Sequence, residues 1–315
     1  MSIIQAFWVG GPGAAPLPVR ILSVGGGGGS AGECYIPTGS NTPGGAVSCG
    51  GGGGGGGVYV HNRVLVAGES YGVTIGAGGN GLGNGSPTYI EGSIAAKGGG
   101  HGGSVTTAAQ DGGCGGGGYG TYLQRGAGDI PSPTNQGQRG GYGTRGQVNN
   151  ANTNIPNTDN INCGGGGGAW PTGYGSDGAK FAGPPFGTAG SGGIGYGLPR
   201  FIGPSDNYPG SVGFGGGGGS SHGAVGRNGL QNYTVSPDPG TGGGASGYNY
   251  ENPSPESYSN VGGSGRLIIR YLGLVTKASG GTITTGTAPT NNNNSAPYAD
   301  YTFHDFTQSG ILTVF

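Results

Sequence analysis

Charged residues are scarce in this chain, 12 Lys and Arg against 13 Asp and Glu among 315 residues, which leaves a net charge of −1. So even a balance offers no basic patch to neutralise phosphates, and neither a nucleic acid nor an anionic membrane surface is expected as a partner. Long apolar runs are missing as well. No stretch approaches the about 20 apolar residues of a membrane span, so no membrane insertion is expected. The opening Met1 to Gly10 lacks the basic start and apolar core of a secretion signal, which predicts synthesis and assembly in a cytoplasm. Helical periodicity is visible nowhere. Cysteine is limited to Cys34, Cys49, Cys114 and Cys163. There is no Cys-x-x-Cys, and the histidines His61, His101, His222 and His304 stand far from them, so no metal site is expected. Small buried thiols beside glycine blocks are the favoured reading, because Cys49, Cys114 and Cys163 each adjoin one.

The usual catalytic arrangements are equally sparse. Matches to Gly-x-Gly-x-x-Gly are inevitable at this composition and carry no weight without a strand-turn-helix context. The lysines, Lys97, Lys180 and Lys277, do not stand at phosphate-loop spacing. His304 and Asp305 are neighbours in a predicted strand, where adjacent side chains face opposite ways. A glycosidase needs two placed carboxylates, whereas Asp111, Asp129, Asp177, Asp206, Asp238, Glu251 and Glu256 are scattered and read as solvated surface groups. The expectation is a protein that is not an enzyme and uses no cofactor, with a loop-borne polysaccharide hydrolase as a third-ranked reading.

What the chain has in excess is glycine, 87 residues, much of it in blocks at Gly25 to Gly29, Gly50 to Gly57, Gly98 to Gly100, Gly115 to Gly118, Gly164 to Gly168, Gly215 to Gly219 and Gly242 to Gly244. These read as structural. Ordering a backbone costs about 1–2 kcal/mol per residue, and glycine has the most freedom to lose. One answer is that nothing offsets the cost: the 87 glycines and 21 prolines are at a level usual for disordered chains. Against it, flexible linkers mix glycine with serine, and disordered chains tend to carry high net charge and few aromatics, whereas this one has 17 Tyr, 8 Phe and 2 Trp. The other answer is a packed bundle of extended helices of the polyproline II type, with three residues per turn and outward N–H and C=O groups that pair between helices. The strict Gly-X-Y period of collagen is absent, and the blocks have no fixed spacing that would suggest a solenoid. The predicted fold class is mainly β and irregular, with short strands bracketing packed polyglycine helices, long surface loops and essentially no α-helix.

The predicted organisation is an N-terminal part, residues 1–97, with β segments and the first glycine blocks; a polyglycine bundle with long aromatic loops, 98–263; and C-terminal β segments, 264–315. β-branched runs predict strands at Ile3 to Val9, Val19 to Val24, Val58 to Val66, Tyr71 to Ile75, Pro87 to Ala96, Gly265 to Tyr271, Tyr301 to Phe306 and Ile311 to Phe315. Val58 to Val66 and Tyr71 to Ile75 are separated by a few turn residues and suggest a hairpin. Long polar connections at Tyr119 to Asn162, Ala169 to Phe214, Ser220 to Thr241 and Ala245 to Val261 carry most of the remaining aromatics. Ordered loops of such length are usually functional, and Tyr and Trp supply contact area at low entropy cost. Either these rings form a recognition surface or they cover a glycine core that has no side chains of its own. The residues singled out for receptor contact are Trp170, Tyr174, Tyr196, Tyr208 and Tyr248.

Four segments carry a family resemblance. Ile21 to Gly29 is similar to a strand leading into glycine, Ser70-Tyr-Gly-Val-Thr-Ile-Gly-Ala-Gly-Gly79 to a "YTVTVGAGG" element, and Gly262-Gly-Ser-Gly-Arg-Leu-Ile-Ile-Arg-Tyr271 to a closing "GGSGVVIIRY" strand. Ala278 to Thr285 and Tyr301 to Gly310 look like the strand pair that normally opens such a module. The chain thus resembles the glycine-rich domain family common in bacteriophage tail fibres and other virion proteins. The resemblance implies a virion structural protein, most readily a tail-fibre or tail-tip adhesin that binds a host-surface glycan or outer-membrane protein. It further implies other virion proteins as partners, a homo-oligomer with a trimer among the options, and a final place on the particle. A capsid decoration or head-fibre protein without receptor binding is the alternative. The opening strand pair here follows the closing strand, so it is expected either as a permuted edge or as part of another module. A free edge invites pairing, and Ile311 to Phe315 is expected to add to the sheet containing Val19 to Val24, within the chain or between subunits.

Overall fold

The computed structural model describes residues 15–30, 51–104, 107–118, 144–147, 159–162, 166–169, 196–197, 213–215, 239–245, 261–290 and 297–315. No helix occurs among the described residues, whose regular elements are all β-strands. Two antiparallel sheets dominate. The larger has five strands in the order β11 (Thr282–Pro289), β12 (Tyr298–Phe306), β9 (Arg266–Leu272), β1 (Leu17–Val24) and β2 (Val58–Leu65). The smaller has four, β10 (Ala278–Ser279), β13 (Gly310–Val314), β3 (Ser70–Thr74) and β4 (Tyr89–Ile90). Short two-stranded ladders join β5 (Thr144–Gln147) to β6 (Asp159–Asn162) and β7 (Tyr196–Gly197) to β8 (Gly213–Phe214).

Alternation explains how the two large sheets meet. Leu17, Val19 and Ile21 of β1 and Leu267, Ile269 and Tyr271 of β9 share one face. They pack in a single cluster with Val73, Ile90, Ala278, Leu312 and Val314 of the smaller sheet. The intervening positions Leu22, Val24 and Ile268 build a second cluster with Val58, Ala288 and Phe303. β1 and β9 are therefore buried on both faces, which is why Ile21-Leu22 and Leu267-Ile268-Ile269 read as unbroken apolar runs. Each such side chain taken fully from water contributes about 1.5–3 kcal/mol, the stabilisation that the glycine segments themselves lack.

Two sequence expectations need correction. Val58 to Leu65 and Ser70 to Thr74 do not form a hairpin: β2 pairs along its whole length with β1, and β3 pairs with β13 and β4. Leu65 and Val73 both belong to the core between the sheets, and they reach it from opposite sides because the turn around Gly68 carries the chain across from one sheet to the other. Likewise the terminal strand β13 does not join the sheet of Val19 to Val24. It lies in the smaller sheet between β10 and β3. The strand pair read in the tail does form, β11 on β12, and β12 continues onto β9. The tail thus completes the same sandwich within one chain. The Gly280 and Gly281 turn that links β10 to β11, and so the two sheets, has φ of 114° and 64°, a left-handed backbone that side chains other than glycine disfavour. The strand expected at Ile3 to Val9 lies outside the described residues.

Candidate functional site: a glycine lattice and its loop roots

β1 runs directly into Gly25 to Gly29, and every N–H of that block is used. Gly25 donates to Gly57, Gly26 to Ser86, Gly27 to Gly263, Gly28 to Gly54 and Gly29 to Gly83, all through backbone carbonyls at 2.8–3.0 Å. Successive donors turn to three different neighbours and return to the first after three residues. The next block repeats the rule: Gly51, Gly54 and Gly57 donate to Gly103, Gly100 and Lys97, whereas Gly53 and Gly56 donate to Ala245 and Gly242, and Gly55 to Gly167. In a third segment Gly99 and Gly102 donate to Gly26 and Gly29, and Gly100 and Gly103 to Cys114 and Gly117. A period of three is the symmetry of an extended segment with three residues per turn. It lets one backbone bond several others, where a strand bonds two.

Such a lattice has no room for side chains. A Cβ placed on Gly27 would stand 1.9 Å from the carbonyl oxygen of Gly243, on Gly56 1.9 Å from that of Gly25, on Gly102 1.8 Å from that of Gly51, and on Gly166 2.0 Å from that of Gly53. Each obstacle is backbone and cannot swing aside. Near-purity of the blocks follows from this contact distance. Of the structural glycines expected from the sequence, Gly25, Gly57, Gly115, Gly215 and Gly242 lie in these segments, while Gly50 and Gly164 fall outside the described residues. Cys114 is buried, with its Sγ 3.7 Å from the carbonyl oxygen of Gly56, in agreement with a small side chain at the lattice; Cys34, Cys49 and Cys163 lie outside the described residues. Among the described residues no group of His, Cys, Asp and Glu could hold a metal ion.

The hydrogen bonds also fix the level at which each long connection leaves. Gly25, Gly57 and Lys97 mark the end next to the sheets, and Gly29, Gly51, Gly103 and Gly117 the far end. A block of five residues spans roughly 15 Å at ~3.1 Å per residue. The connection after Gly118 starts at the far end, and so does the one after Ala245, which bonds Gly28 and Gly53. By contrast Ala169 donates to Gly215, and Gly215 to Thr241, with Ala169 packed against the sheet cluster that holds Val58 and Val24. The connection after Ala169 is thus rooted at the sheet end.

The five aromatic candidates therefore belong to connections with different roots. Trp170, Tyr174 and Tyr208 lie outside the described residues on the connection that follows Ala169, and Tyr248 lies outside them on the one that follows Ala245. Tyr196 is described in its backbone, which pairs with Phe214 in β7 and β8. One feature escaped the sequence reading. At the end of the sheets away from the glycine lattice, Val64, Leu272, Leu274, Val275 and Phe315 are exposed, Val275 at 73%. Pro18 pairs with Val64, and the β1–β9 register carries it to the level of Leu272, so three apolar residues form a row across three strands. Its sequence signal was faint, since Leu272 to Val275 continues the apolar run of β9 with one glycine between.

His304 and Asp305 do point to opposite faces. The Asp305 carboxylate accepts hydrogen bonds from Arg266, with Nε at 2.7 Å, while His304 turns to Tyr271 on the core side.

The sequence model of a family described as a glycine-rich domain matches residues 11–272. The match ends with β9, so the tail strands that complete both sheets lie beyond it. No curated protein and no solved structure matches the chain.

Proposed function

The chain belongs to the glycine-rich domain family, and from that premise we propose that it is a structural protein of a bacteriophage virion, a tail-fibre or tail-tip adhesin. In this reading it is not an enzyme. It is assembled in the host cytoplasm, carried on the particle as a homo-oligomer among other virion proteins, and binds a host-surface glycan or outer-membrane protein. The observation that carries the reading is the lattice itself. Backbone alone forms a solid with no side chains to offer a ligand, so recognition falls to the long connections rooted on it. Those connections hold Trp170, Tyr174, Tyr196, Tyr208 and Tyr248, whose rings suit stacking on sugar faces while the many Asn and Ser residues supply directional hydrogen bonds.

A second reading, a capsid decoration or head-fibre protein without receptor binding, gains support from the exposed apolar end of the sheets at Val64, Leu272 and Val275, which suits a permanent contact with another virion protein. Both readings share that anchor. The test is binding of the purified, fluorescently labelled protein to host cells, with competition against phage adsorption. Saturable binding that blocks infection, lost on alanine substitution of Trp170 and Tyr174 or of Tyr248 in a folded protein, is the expected result. Absence of binding by a folded protein contradicts the adhesin reading and leaves the structural one.

A further inference from the structure

We propose that β11 is a subunit contact, pairing antiparallel with β11 of a second copy across a two-fold axis so that the five-stranded sheets of two chains become continuous. The proposal rests on the homo-oligomer part of the reading above and not on receptor binding. β11 stands at the edge of its sheet, next to β12. It is eight residues long, Thr-Ile-Thr-Thr-Gly-Thr-Ala-Pro, and Thr282, Ile283, Thr284, Thr285 and Thr287 are exposed. A strand carries consecutive side chains on alternate faces, so this edge is open on both. Ile283 is 40% exposed although it sits directly opposite the buried His304.

Natural sheets guard such edges with charge, short length, an early proline or a bulge. β11 has no charged residue, reaches its proline only at its last position, and keeps an unbroken register with β12 from Thr282 to Pro289. The opposite edge of the sheet, β2, carries His61 and Arg63, and the edges of the smaller sheet are two residues long. The choice of a second copy as occupant follows from charge. Two-fold antiparallel pairing sets a residue on the axis against its own mate and sets positions equally far to either side of the axis against each other, so like charges along a strand would meet across it, and an uncharged strand has none to oppose. Threonine adds to this, since paired threonines interact favourably across antiparallel strands. One strand pair is small beside a standard interface, so the association is reversible.

Sedimentation velocity of the full chain across a wide concentration range is the test. A monomer–dimer equilibrium is expected. The double substitution Thr284→Lys and Thr285→Lys, on two exposed positions, should weaken it by roughly tenfold or more through like-charge opposition, and Thr284→Val with Thr285→Val should leave it in place. Circular dichroism melting that matches the parent establishes that each variant is folded. A strictly monomeric parent, a dimer indifferent to the lysines, or a closed trimer would each overturn the proposal.

Discussion

The Tyr271 hydroxyl lies 3.1 Å from Nε2 of His304, and the two residues tie the sheets together through a single chain of hydrogen bonds. Tyr271 accepts from the Lys277 N–H at 2.8 Å, and Nδ1 of His304 is 2.8 Å from the carbonyl oxygen of Gly280. A carbonyl only accepts, so Nδ1 carries the proton and Nε2 receives the tyrosine O–H. The chain spans β9, the β10 region and β12, which are the points where the tail crosses from one sheet to the other.

Removing that hydroxyl should cost more than one hydrogen bond. Tyr271 is 2% exposed and His304 fully buried, so Tyr271→Phe strands both the Lys277 N–H and Nε2. A loss of about 1–3 kcal/mol is expected from the buried imidazole nitrogen and the part-buried N–H left unsatisfied, read as a lower denaturant midpoint. A midpoint equal to that of the parent would show that the chain contributes nothing.

Stability should also depend on pH through two histidines. Burial lowers the pKa of His304 against the opposing effect of its bond to Gly280, and burial followed by the Arg63 charge lowers that of His61. The folded state then binds a proton less readily than the unfolded chain, whose imidazoles titrate near ~6.5. Stability is full above that value and falls as pH drops through it towards the depressed folded pKa values. Urea unfolding should give a lower free energy near pH ~5 than near pH ~7.5, and His61→Gln should flatten part of the slope. Equal stability at the two pH values would contradict the burial assigned to these rings.

Glycine should be replaceable in one part of the molecule and not in another. A Cβ on Gly56 would meet the Gly25 carbonyl oxygen at 1.9 Å, while one on Gly286 finds its nearest neighbour, a Phe303 ring carbon, at 3.9 Å. Gly56→Ala should therefore lose at least about 1–3 kcal/mol by overpacking, and Gly286→Ala should stay within about 0.5 kcal/mol of the parent. Thermal unfolding of the pair checks this. Equal tolerance would mean the blocks are not close-packed.

Much of the fold was legible because its strands are β-branched and short. Val58 to Leu65 and Arg266 to Leu272 announce themselves, and the flanking glycine runs mark where they stop. Their partners were not legible: nothing local distinguishes a hairpin from the corner at Gly68, which depends on Leu65 and Val73 meeting across the core. The three-residue period followed from the absence of side chains, but the order of neighbours did not, because a glycine block is the same on every side and only the strands at its ends choose its place. For that reason the shared aromatic content of the connections suggested one recognition surface, whereas Ala169 and Ala245 root them at different levels.

Backbone bonds alone hold the glycine blocks in an ordered lattice. Amide hydrogen exchange at Gly25 to Gly29 and Gly51 to Gly57, followed by NMR on the full chain, tests it most directly, since Gly25 to Gly29 all donate within the lattice and protection reports the opening of those bonds. The prediction is slow exchange, comparable to the amides of β1 and β9. Exchange of these glycines at the rate of an unprotected chain, beside protected strands, would contradict it and return the blocks to the status of linkers.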